Sequence, residues 1–170
     1  MEQHAPSVVV IACGNTLRGD DGVAWCIGEA LQALPLAPEV EVILTRQLMP
    51  EHAAVLRHAN LAAFLDCSAT SPAGLVEAVA LNPAKDLPRI FTHHLDPESL
   101  LRLTLELYET APPQSFAITV GGDYFELNEE LSAPVAAAIP LAVNAVLSLM
   151  PKGFLAAAVT EIPHAGKKAI

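Results

Sequence analysis

VVVIACGNTLRGDDGVAWCIGEAL, residues Val8 to Leu31, changes its period twice. Val8–Cys13 is a continuous apolar run rich in β-branched side chains, the pattern of a parallel strand covered on both faces. It breaks at Gly14-Asn15, passes through a short polar loop and reaches Asp20-Asp21-Gly22. From Gly22 to Ala33 the apolar residues Val23, Ile27, Ala30 and Leu31 recur at helical spacing, continued by Leu34, and Pro35 ends the pattern. A strand feeding a helix in this way opens an α/β fold. It delivers two adjacent carboxylates to the helix mouth, at the carboxyl edge of the sheet where open α/β folds bind ligands. Like charges this close repel unless a cation or a proton relieves them.

The rest of the chain keeps the alternation. Val40–Leu44 and Leu61–Leu65 read as further strands, with a short helix from Pro50 to about Arg57 between them and Asp66 at the carboxyl end of the second. After a Ser-Ala-Thr-Ser-Pro-Ala-Gly breaker, Leu75–Leu81 is a fourth strand. Pro83–Phe91 reads as loop. Asp96 is placed to cap a helix that has Pro97 in its first turn and runs to about Thr110. Ser115–Val120 is a fifth strand closing on Gly121-Gly122. Ser132 is placed to cap a last helix over Ala133–Leu149, which Pro140 is expected to bend. These elements predict a doubly wound or three-layer α/β/α domain. One domain spans 1–170, with a core over about 8–150 and a tail from 151 to 170 expected to fray. There is no internal repeat and no linker.

Composition narrows the partners. A chain of 170 residues with 52% apolar content and a mean hydropathy of +0.41 has the material for a substantial core. No apolar run approaches the roughly 20 residues of a membrane span, and no basic n-region precedes an apolar stretch, so a cytoplasmic protein is expected. The formal charge of −10, from 19 acidic and 9 basic residues, opposes phosphate backbones and favours cations or a basic segment of another protein. Cys13, Cys26 and Cys67 are odd in number and share no C-x-x-C spacing, so they read as reduced, mostly buried thiols.

Three places combine chemistry-bearing residues with strand ends or loops: Asp20-Asp21, Asp66, and the Thr92-His93-His94 triplet. Each has a plain structural alternative. One of the first pair suffices as N-cap of the helix that follows, which leaves the second acid unexplained. Asp66 is also placed for an Asx-turn with Ser68, and histidines before a helix are often packing residues. Taken together, two carboxylates and an imidazole are a hard-to-borderline donor set suited to a divalent first-row metal such as nickel, zinc or manganese. Gly14-Asn15 permits a tight turn and offers amides to a ligand, but there is neither a G-x-G-x-x-G fingerprint nor a P-loop, so no nucleotide is expected. With no G-x-S-x-G elbow and no H-E-x-x-H helix, a serine triad and a zincin are disfavoured. Trp25 and Phe91 read as core, Tyr124 and Phe125 as candidates for a peptide groove.

G-N-T-L-R-G-D-D-G after the first strand, F-L-D-C after the third and T-H-H-L before a helix, in this order and spacing, resemble the hydrogenase maturation endopeptidases. V-G-G-D-Y-F-E-L…L-S-A-P-V looks like that family's last strand and helix, so the resemblance runs from about Val8 to Leu149. It implies a three-layer α/β/α sandwich with a twisted, mostly parallel five-stranded sheet. It also implies an enzyme that removes a C-terminal extension from the large-subunit precursor of a nickel–iron hydrogenase after nickel insertion, letting the new C-terminus fold over the metal. The residues implied to contact nickel, and to serve catalysis, are Asp21, Asp66 and His93; Gly14, Asn15, Asp20 and His94 fall in supporting positions. His93 is preferred to His94 because His93-His94-Leu95 fits the family's histidine–any–apolar pattern. Nickel is then supplied by the substrate, and the partner is the nickel-loaded precursor rather than nucleic acid or membrane. The sequence departs from the pattern at Ala12, where glycine is usual, and at Cys67, where alanine is usual. A non-catalytic nickel-handling module is the alternative, and a peptidyl-tRNA hydrolase-like enzyme is disfavoured by the acidic charge.

Overall fold

A computed structural model describes residues 7–86 and 95–154. Five strands, β1 (Val8–Cys13), β2 (Val40–Thr45), β3 (Leu61–Ser68), β4 (Val76–Leu81) and β5 (Gln114–Gly121), form one sheet in the order β2-β1-β3-β5-β4. All neighbours are parallel except β4, which runs antiparallel to β5 at the edge. Helices α1 (Val23–Gln32), α2 (Ala53–Leu56), α3 (Pro97–Tyr108) and α4 (Ala133–Leu149) cover the two faces.

The apolar run of β1 divides by the period of two that a pleated strand imposes. Val8, Val10 and Ala12 pack with Val23, Ile27 and Leu31 of α1 and Val135, Val143 and Val146 of α4. Val9 and Ile11 face the other way, onto Leu56 of α2 and Leu100 and Leu101 of α3. A central strand buried on both faces must be apolar throughout, and Val8 through Ala12 are fully buried. The architecture is the α/β/α three-layer sandwich expected from the sequence.

Several local expectations shift. β3 continues three residues beyond Leu65, because β5 goes on pairing after β1 has stopped: the last β1–β3 pair is Ala12–Leu65, while Asp66, Cys67 and Ser68 pair with Thr119, Val120 and Gly121. Asp66 therefore stands on an overhanging strand rather than in a loop. Of the tail, residues 151–154 are described: the Phe154 carbonyl accepts the Ala37 amide at 2.9 Å and its side chain packs against the α1/α4 core. Among the described residues, no helix is long and apolar enough to cross a membrane.

β1 leads through α1 to β2 on one side of it, and the chain then returns through α2 to β3 on the other. The strand order thus reverses between β1 and β3. Such a switch point leaves a crevice at the carboxyl ends of the two strands, and both candidate aspartates belong to it.

Candidate functional site

The loop after β1 is folded by its own side chains. Asn15 Oδ1 accepts the Leu17 amide at 3.0 Å, the Arg18 amide donates to the Asn15 carbonyl at 3.0 Å, and the Asp21 amide donates to the Arg18 carbonyl at 3.2 Å. This curls the chain back so that the Asn15 amide donates to Asp21 Oδ2 at 2.9 Å. Gly14 is where the loop closes on itself: a Cβ there would collide with the Asp21 carbonyl oxygen. Gly19 takes φ +53° beneath the Tyr124 ring and carbonyl, a left-handed conformation that glycine adopts without steric cost.

Neither acid of the pair is the N-cap of α1, which begins after Gly22 with no side-chain cap. They have separate fates. Asp20 is fully buried, and its carboxylate collects the amides of Asp123 (3.1 Å), Tyr124 (3.0 Å) and Ser132 (2.7 Å) together with the Ser132 hydroxyl (3.0 Å). Desolvation works to raise its pKa, but the four donors outweigh it and hold the group below the usual aspartate value. Ser132, expected to cap α4, spends its hydroxyl on Asp20 instead. Asp20 is a brace between the loop after β1 and the segment before α4.

Asp21 is half-buried and faces a cavity of about 440 Å³. Asp66 lines the same cavity, with Cys13, Phe64 and Leu48 behind it and Leu95, Asp96 and Pro97 on the α3 side. Pleat alternation explains the direction: Phe64 belongs to the α2/α3 side, Leu65 and Cys67 to the α1/α4 side, and Asp66 returns to the side of Phe64. Asp66 accepts only its neighbour's amide, Cys67 N–H to Oδ1 at 2.8 Å, among the described residues. The expected Asx-turn with Ser68 is not formed; Ser68 Oγ makes its own turn, accepting the amides of Thr70 and Ser71. Asp66 reaches solvent at the cavity mouth yet is crowded by protein. That desolvation, helped by the charge of Asp21 and opposed by the Cys67 amide, pushes its pKa up to about 6.

The third carboxylate of the cavity has a structural duty. Asp96 caps α3 as expected, accepting the Ser99 amide at 2.8 Å and hydroxyl at 3.1 Å. The two thiols nearby are held as thiols. Burial, then the charges of Asp66 and Asp21, raise Cys13 to about 11. Burial, then Asp21, Asp20 and Asp66, raise Cys67 to about 12. Neither is a thiolate at neutral pH, so neither is an activated nucleophile. Trp25 is half-buried, its indole N–H donating to the Thr45 carbonyl at 3.0 Å and pinning α1 to the end of β2.

Of the residues singled out in the sequence, Gly14, Asp21 and Asp66 line this cavity, while Asn15 and Asp20 hold the loop that carries Asp21. His93, His94 and Phe91 lie outside the described residues, and among the described residues no three histidine, cysteine or acidic side chains form a metal-binding group. The cavity also holds Arg18 and Arg46, which the sequence reading passed over. Arg46 was findable: it follows β2 at the same sheet edge that drew notice to Asp66.

The fold is that of the hydrogenase maturation endopeptidases. The structure superposes on a hydrogenase maturating endopeptidase, HybD, from E. coli with a TM-score of 0.67 at 21% identity, covering 83% of this chain and 90% of that one. It matches a hydrogenase 2 maturation peptidase from a Thaumarchaeota archaeon at TM-score 0.61 and 25% identity, covering 83% and 96%. A [NiFe] hydrogenase maturation protease, HycI, from Thermococcus kodakarensis gives 0.63 and 24%, covering 83% and 90%. No protein-family model and no curated protein matches the sequence. The resemblance read from the three motifs and the likeness of fold thus point the same way.

Proposed function

We propose that this chain is the endopeptidase that removes the C-terminal extension of a nickel–iron hydrogenase large-subunit precursor after nickel insertion, and that it reads the substrate's nickel with Asp21, Asp66 and His93. The observation that carries the reading is the convergence of Asp21 and Asp66 on one cavity at the β1/β3 switch point, in a fold shared with peptidases of that name. The two carboxylates repel, and the repulsion contributes to holding a proton on Asp66 up to a pH of about 6. A divalent cation brought by the substrate would replace that proton and turn the repulsion into attraction for both groups.

Support for the third ligand comes from chain continuity: Leu95, Asp96 and Pro97 line the cavity, and His93-His94 precede them directly. A site filled by the substrate's own ion has no need to bind metal tightly when empty. Nickel then acts as a checkpoint, admitting only a precursor that has received it. A carboxylate of the site is suited to take a proton from the water that attacks the scissile carbonyl and return it to the leaving amine. This reading keeps the cytoplasmic placement expected from the sequence.

The test is to incubate the purified chain with nickel-loaded and with nickel-free precursor and weigh the products by mass spectrometry. The reading expects a short C-terminal peptide to be released from the loaded precursor alone. Stable binding with no shortening would make the chain a non-catalytic nickel-handling module instead.

A further inference from the structure

The segment before α4 and the loop after β1 meet in a small parallel bridge between Arg18 and Asn128. The Asn128 amide donates to the Leu17 carbonyl at 3.1 Å and the Gly19 amide to the Asn128 carbonyl at 2.7 Å, which sets Leu17 and Leu127 side by side one residue ahead of the bridge. Both are exposed, Leu17 at 40% and Leu127 at 87%, and Tyr124, its ring against Gly19, is 37% exposed. Glu126, Glu129 and Glu130 flank Leu127 in the same segment, all exposed and none in an ion pair among the described residues. Surface leucines are ordinary singly, but an apolar group held on a braced loop beside a ligand cavity is not needed by the fold. Arg18 of the same bridge lines the cavity, so the two surfaces adjoin.

We infer that Leu17, Tyr124 and Leu127, with the glutamates of the same segment, form a docking surface for a polypeptide segment that carries apolar side chains flanked by lysine or arginine. The inference rests on the proposed function, since that segment belongs to the precursor whose cleavage site enters the neighbouring cavity. The acidic charge of Glu126, Glu129 and Glu130 selects a basic partner and speeds its approach, while the leucines and the tyrosine supply the contact that holds it. The brace at Asp20 keeps the surface in place relative to Asp21, its neighbour in the chain. Docking there would present the extension to the cavity at a fixed distance from the carboxylates.

The experiment compares steady-state processing of nickel-loaded precursor by wild type, Leu127→Ser, the double variant Leu17→Ser/Leu127→Ser, the triple variant Glu126→Gln/Glu129→Gln/Glu130→Gln, and Leu141→Ser as an exposed-leucine control on α4. The double variant is expected to raise KM about tenfold with kcat unchanged, and Leu141→Ser to change neither. The triple variant is expected to raise KM and to flatten its dependence on salt. Unchanged KM in the double variant, or an equal rise in Leu141→Ser, overturns the docking surface while leaving the peptidase reading intact. No cleavage by wild type itself would instead sink the peptidase reading. Since Leu127 is almost wholly exposed, Leu127→Ser keeps the test open should the double variant fold poorly.

Discussion

Asp20 and Ser132, 112 residues apart in the chain, are joined by two hydrogen bonds: the Ser132 amide to Oδ1 at 2.7 Å and its hydroxyl to Oδ2 at 3.0 Å. With the Asp123 and Tyr124 amides on the same carboxylate, this one side chain ties the first loop of the protein to the entry of its last helix. It also separates the roles of the adjacent acids, the buried one bracing the site and Asp21 facing the cavity.

Asp20→Ala would strand three amides in a dry environment. The expected loss is about 3 kcal/mol, or roughly 6–12 °C in Tm for a domain of this size, read by calorimetry. Because the folded pKa of Asp20 lies below the unfolded value, its contribution is complete above pH ~4 and is lost as pH falls through the depressed value. A Tm within a degree of wild type would show that the brace carries no stability.

Asp66 has the opposite sign. Its folded pKa of about 6 lies above the unfolded value, so the folded state keeps a proton that the unfolded chain has already released. Asp66 thus costs no stability below pH ~4, and the penalty grows until the pH passes about 6. Asp66→Asn is expected to flatten that slope and, at neutral pH, to raise Tm by roughly 2–4 °C, corresponding to about 1 kcal/mol once solvent screening at the cavity mouth is allowed for. An Asp66→Asn variant that melts lower than wild type at pH 7 would contradict the crowding of the two carboxylates.

The thiols offer a third check. Cys13→Ser and Cys67→Ser should process precursor at close to the wild-type kcat, because burial and the surrounding carboxylates keep both sulfurs protonated, at about 11 and about 12. Alkylation of the folded protein at pH 7.5, followed by mass, should be correspondingly slow at both sites. Loss of turnover in Cys13→Ser at unchanged Tm would assign that thiol a chemical role.

Gly14→Ala tests the loop closure. The added Cβ meets the Asp21 carbonyl oxygen, so the loop must open and carry Asp21 away from Asp66. Processing should fall by about 10²-fold, in keeping with a displacement near 1 Å at the reacting groups. Wild-type turnover in this variant would show that the position of Asp21 is not critical.

The layers of the fold were legible because β1 is a short apolar run, rich in β-branched residues and bounded by Gly14-Asn15, and α1 follows a single helical face. Asp21 and Asp66 were legible as strand-edge acids. What the sequence hid was the division of labour within Asp20-Asp21. A buried carboxylate that accepts four hydrogen bonds from residues 103 to 112 positions away leaves no local trace, and capping preferences pointed Ser132 to the wrong partner. The overhang of β3 was equally hidden, since it depends on β5 outlasting β1 as a neighbour. Arg46 was visible but unremarkable until the cavity wall gave it a place.

The central claim is that Asp21 and Asp66 act together on the substrate's metal, and turnover by their amide variants addresses it most directly. Single-turnover cleavage of nickel-loaded precursor should fall at least about 10³-fold in both Asp21→Asn and Asp66→Asn, each folded by circular dichroism, and no further in the double variant, as expected of groups that work as a unit. Cleavage at the wild-type rate by either folded variant would contradict the account.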